Sequence, residues 1–151
     1  MKPFNFSLST VLQVRETEEQ QARENHATAQ EALDALLMQQ RRVEEAIESN
    51  LAACRQSFEG QVRSGTIAHL QAALRELRVQ LEAFQPEVQR LSAEAQARWQ
   101  ELLQARQHRE SLEKLKDKQH TAHRQHEARS EQQAIDELVL LREAAGLNHK
   151  L

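Results

Sequence analysis

Residues 67–102, IAHLQAALRELRVQLEAFQPEVQRLSAEAQARWQEL, decide the fold. Ile67, Leu70, Leu74, Leu77, Leu81, Phe84, Val88, Leu91, Ala95, Arg98 and Leu102 recur at alternating steps of three and four without a slip. That spacing holds one seam of a helix against a partner helix, while charged and amide side chains flank it; the pattern is that of a coiled coil. Pro86 lies in the middle. Proline removes a backbone donor and clashes with the preceding turn, so a kink or a break is expected there, and Glu87 directly after it suits a new first turn. Two readings follow. In one, a single kinked helix runs from the first loop and its C-terminal part overhangs its partner. In the other, 67–85 is a short helix folded back at the tip and the returning helix starts at Glu87. The second, with 67–85 folded back or bent at the tip, is the expected arrangement.

Working outward, Gly60 and Gly65 with Ser64 and Thr66 mark the one other interruption: a glycine to end a helix, a hydroxyl to cap the next. Before it, Ala29, Leu33, Leu36, Val43 and Ile47 keep the heptad, with Gln40 as a polar occupant. A further step of four to Leu51, then Cys54 and Phe58, predicts a stutter. Beyond Gln104 the stripe weakens until Ile135, Leu138, Val139 and Leu141 restore it, and Gly146 is expected to end the last helix.

The expected architecture is therefore all-α: a long antiparallel two-helix coiled-coil hairpin, with a short connecting helical segment near the tip opposite the termini. It forms one domain over 1–151, with a helix at about 7–59, a loop at 60–66, a helical segment at about 67–85 and a helix at about 87–145. Two arms of roughly 50 to 60 residues would match in length. Phe4, Leu8, Val11 and Leu12 would then lie beside Ile135, Leu138, Val139 and Leu141, so that the two apolar ends bury each other.

Composition agrees and narrows the function. Of 151 residues 39% are hydrophobic and 28% charged, but only 3% are aromatic, and three glycines and two prolines leave little material for turns. Lys and Arg (20) are nearly matched by Asp and Glu (23), and the basic residues Arg41, Arg42, Lys114, Lys116 and Lys118 are interrupted by acids, so no nucleic-acid partner is expected. A single cysteine, Cys54, fits a reducing compartment and a structural position on the apolar stripe. No apolar run approaches a membrane span or a signal peptide, so a cytoplasmic chain without direct membrane insertion is expected.

Nothing in the sequence suits catalysis. No phosphate-cradling glycine loop or ordered nucleophile and base is present, so no enzyme and no cofactor are expected. The nearest approach to a metal site is His120, His123 and His126 with Glu127. His123 and Glu127 are spaced to share an ion, yet steps of three drift around the helix and Arg124 sits among them, so an ordinary solvated helix face is the plainer reading, with local protonation that tunes partner binding as a milder alternative. Arg15 reads as a helix residue paired with Glu18 or Glu19, or as a contact to an acidic partner surface. The leucine stripe through Ala73, Leu77, Leu81 and Phe84 either continues the seam or offers a docking face.

The segment Phe4-Asn5-Phe6-Ser7-Leu8-Ser9-Thr10-Val11-Leu12-Gln13-Val14-Arg15-Glu16-Thr17-Glu18-Glu19 resembles the N-terminal pattern F-x-F-x-L-x-x-V-L-x-x-R-x-x-E-E of the FliJ family of flagellar export proteins. Leu112 to Gln119, followed by Arg129, Glu131, Ile135, Asp136 and Glu137, is similar to that family's C-terminal stretch. The resemblance implies a non-enzymatic stalk of the flagellar type III export apparatus. Such a stalk binds the export ATPase, promotes its ring assembly and activity, and couples it to the cytoplasmic domain of the export gate and to export chaperones. It implies a place in the cytoplasm, peripheral to the inner face of the cell membrane, and a role in flagellum biogenesis, motility and chemotaxis. It also implies an ATPase-facing end at Phe6, Leu8, Leu12, Arg15, Ile135, Leu138 and Val139, and a gate-facing surface at Ala73, Leu77 and Phe84, where Ala73 is smaller than the usual apolar residue. A generic cytoplasmic coiled-coil scaffold, dimerising in parallel through its heptads, and a related injectisome stalk are the alternatives.

Overall fold

The computed structural model describes residues 2–60 and 63–148; Gln61 and Val62 of the expected loop lie outside the described residues. Two helices, α1 (Ser9–Glu59) and α2 (Ser64–Asn148), pack against each other as an antiparallel hairpin, with no strand among the described residues. The Leu8 carbonyl accepts the Leu12 amide at 2.9 Å to open α1, and the Gly60 amide reaches Gln56 at 3.2 Å to close it. Before α2, the Arg63 carbonyl accepts the Thr66 amide at 3.0 Å, so the capping position expected at Ser64 or Thr66 falls one residue earlier.

The helix break expected at Pro86 is absent. α2 is one helix of 85 residues that contains Pro86, so 67–85 and 87–145 are parts of the same element. Pro86 and Glu82, whose carbonyl loses its partner at i+4, are both exposed, so water can satisfy the orphaned acceptor. Just beyond, Glu87 holds Arg90 at 3.0 Å, which keeps that guanidinium above its ordinary range. Gly146 does not stop α2 either, because it does not adopt the left-handed conformation through which glycine ends helices.

The chain forms two packing units, Met1–Glu18 with Ala105–Leu151, and Glu19–Gln104. In the second unit, the covered face of α1 runs Glu19, Ala22, His26, Ala29, Leu33, Leu36, Gln40, Val43, Ile47, Asn50, Cys54 and Ser57. These steps alternate four and three to the end, so the stutter expected after Ile47 does not form. Leu51 and Phe58 turn outward, Phe58 being 69% exposed, and polar Asn50 and Ser57 take the seam instead. On α2, the heptad from Ile67 to Leu102 faces inward as expected. The seam is thin. Its buried hydrophobic members in this unit are the alanines Ala22, Ala29 and Ala95, and small side chains let helix axes approach closely. Trp99 lies at the edge, its ring tilted against His26 with centroids 5.2 Å apart.

In the first unit, residues 2–8 run as a non-helical strap along α2 before α1 begins. Phe6 and Leu12, 4% and 5% exposed, are its core. Phe4 packs on His120, and Arg15 approaches His108. The paired numbers of Arg15 with His108, Phe4 with His120 and Lys2 with His123 add to between 123 and 125, as does the His26–Trp99 pair of the other unit. The described part of the strap reaches along α2 as far as Lys2, beside His123, Glu127 and Glu131, and α2 continues well past it. The mutual burial expected for Phe4, Leu8, Val11 and Leu12 with Ile135, Leu138, Val139 and Leu141 does not occur: residues 128–146 are exposed throughout.

Candidate partner-binding surfaces

The unaccompanied C-terminal part of α2 carries Ile135, Leu138, Val139, Leu140 and Leu141, between 48% and 68% exposed. Four consecutive apolar residues spread around most of a helix's circumference, so a single neighbouring helix cannot cover them. Fully burying one such side chain contributes roughly 1.5–3 kcal/mol. The stretch is thus a strong driver of association, and acidic Asp136, Glu137 and Glu143 with basic Arg142 border it. Leu140, which the sequence reading passed over, belongs to the same surface; the run Leu138-Val139-Leu140-Leu141 was the available signal.

The N-terminal residues divide into two kinds. Phe6 and Leu12 are interior, so in this arrangement they hold the strap and α1 in place and present nothing to a partner. Leu8 and Arg15 are half-buried. Arg15 donates to Glu18 at 3.0 Å and lies 3.4 Å from His108 Nδ1, leaving part of the guanidinium open to solvent. Glu19, beside Glu18 in the same motif, is 4% exposed and accepts from Arg23 at 3.1 Å. A buried carboxylate is tolerated only when hydrogen-bonded or paired, and the heptad reading did not find this one because it scored apolar positions alone.

Ala73, Leu77 and Phe84 are half-buried on α2; Leu77 and Phe84 sit in the seam, while Ala73 flanks it. Val79, 65% exposed, is the large apolar side chain that this part of α2 presents most openly. Among the described residues no group of three His, Cys, Asp or Glu side chains converges as a metal site would require. His123 instead pairs with Glu127 at 3.3 Å and contacts the strap. Cys54 is half-buried and donates its thiol to Asn50 Oδ1 at 3.6 Å, a structural role.

The fold is a two-helix hairpin whose seam is used within the chain and whose longer helix carries an exposed apolar stretch. The family model described as Flagellar FliJ protein matches residues 4–146, and the chain belongs to that family. No curated protein and no solved structure matches. Membership makes the chain a non-enzymatic component of the flagellar export apparatus. Among the described residues, no helix is long and apolar enough to cross a membrane.

Proposed function

We propose that the chain is the stalk of the flagellar export ATPase, binding its ring, promoting assembly and turnover, and linking it to the export gate and export chaperones. The observation that carries this reading is the exposed stretch Ile135–Leu141 on a chain of this family: a costly apolar surface that none of the described residues covers. Ile135, Leu138 and Val139 make the ATPase contact together with Leu8 and Arg15, while Phe6 and Leu12 support it from beneath. The gate contact falls on Ala73 at the flank of the seam and on Leu77 and Phe84 within it, each partly open to solvent. Residence at the inner face of the membrane then comes from the gate and not from lipid.

The mechanism is coupling without chemistry. A stalk that binds one arrangement of ATPase subunits better than the others shifts the ring toward that arrangement, and only this differential affinity does work. The parallel-dimer scaffold loses ground because both heptad seams face each other within one chain. Titrating purified export ATPase with this protein, and following turnover and ring formation, tests the reading. Stimulation near one chain per ring supports it; no binding and no change in turnover would sink it.

A further inference from the structure

The end of α1 and the start of α2 pair unlike surfaces. Here α2 presents Ile67, Leu70, Leu74, Leu77 and Leu81, all half-buried, and α1 meets this apolar stripe with Asn50 and Ser57. Leu51 and Phe58, the next residue in each case, stand 36% and 69% exposed beside it. The buried hydrophobic residues of this packing unit, Ala22, Ala29 and Ala95, all lie in its other half, so close packing holds the phase of α1 least firmly here. Ile47 and Cys54 alternate with Asn50 and Ser57 in the seam, and their spacing lets them alternate equally well with Leu51 and Phe58. Neighbouring residues lie about 100° apart around a helix, so exchanging one set for the other turns α1 by only about half that angle.

We propose that residues 47–59 of α1 form a two-phase element, with a second, less populated phase in which the helix end rotates to lay Leu51 and Phe58 on the α2 stripe. In that phase two apolar side chains leave water, while an amide and a hydroxyl regain it, and both changes favour it. Ile47 and Cys54 stay at the contact throughout. The Ser57 hydroxyl keeps its 2.8 Å bond to the Ala53 carbonyl, and the Cys54 thiol keeps Asn50, because both bonds lie within α1. Two effects oppose the rotation. Ala46 and Ala53, half-buried on the far flank, turn toward water. The phase set by Leu33, Leu36 and Val43 must also be broken by a step of four after Ile47, which locally unwinds the coiled coil. That unwinding is gentle, since the step from Ile47 to Phe58 is close to three turns of an undistorted helix. The observed phase therefore offers a partner two large apolar side chains one heptad apart, and the second phase withdraws them. A protein that grips Leu51 and Phe58 holds α1 in the observed phase through that difference in affinity. The inference rests on packing within the chain and does not depend on the ATPase reading.

Nuclear magnetic resonance relaxation dispersion on the full chain, with leucine methyl and phenylalanine ring labels, tests it. The expected result is exchange at Leu51 and Phe58 with a minor population of about 1–10%, and none at Leu33 or Leu36. Asn50→Leu combined with Ser57→Leu makes the observed seam apolar and should abolish the exchange. Asn50→Glu combined with Ser57→Glu places charges that avoid the seam and should make the second phase the major one. The contact of the Phe58 ring with a soluble paramagnetic probe should then fall about twofold or more. No exchange in the unsubstituted chain would overturn the proposal, as would exchange that persists in the double leucine variant. A folded double glutamate variant whose Phe58 stays as accessible as before would overturn it too. Should that variant unfold, the first two readouts still decide.

Discussion

Phe6 and Leu12 look alike in sequence to Val11 and Val14, yet the first two are covered and the second two are 42% and 50% exposed. Substitutions should separate them. Phe6→Ala or Leu12→Ala removes a large part of a small core and should cost about 2–4 kcal/mol in the first packing unit. Val11→Ala or Val14→Ala should stay within about 0.5 kcal/mol. Chemical denaturation followed at a probe in this unit measures the difference, and equal effects would mean that the strap is not seated as described. Glu19 makes the same point for a polar group. Its truncation to Ala removes the Arg23 ion pair while Arg23 keeps its bond to Gln20 and stays well hydrated, so a loss of at least about 1–2 kcal/mol is expected.

At the scale of the helices, the heptad of residues 67–102 was legible because a strict period of three and four has one structural meaning. The ends of that period were not. Equal arms would follow if Pro86 started the returning helix, whereas α2 starts at Ser64 and absorbs Pro86 on an exposed face. Leu51 and Phe58 misled in a related way: apolarity suggested that they lie in the seam, but the partner helix fixes the phase and leaves Asn50 and Ser57 there. Both findings can be checked. Pro86→Ala restores an amide donor for the Glu82 carbonyl and should stabilise the second unit by roughly 1–3 kcal/mol. Phe58→Gln should be nearly neutral, within about 0.5 kcal/mol, and a large loss would restore the stutter.

Across the whole molecule, 85 residues in α2 against 51 in α1 set what remains for other proteins. The apolar C-terminal stretch was visible in the sequence as a site candidate, but as half of an internal contact. Only the register, fixed by pairs such as Arg15–His108, leaves it uncovered. A residue that packs on nothing contributes nothing to the fold, and this separates binding from stability. Replacing Ile135, Leu138 and Val139 together by Ala keeps good helix formers and removes only side chains facing water. The melting temperature and helicity of the isolated protein should be unchanged. If the ATPase covers this surface, three lost contacts of roughly 1 kcal/mol each should raise the concentration needed for half-maximal stimulation by about two orders of magnitude. Undiminished stimulation by the triple variant would move the ATPase contact to Leu8 and Arg15. A lowered melting temperature would instead show that the chain itself, or a second copy of it, covers the stretch in solution.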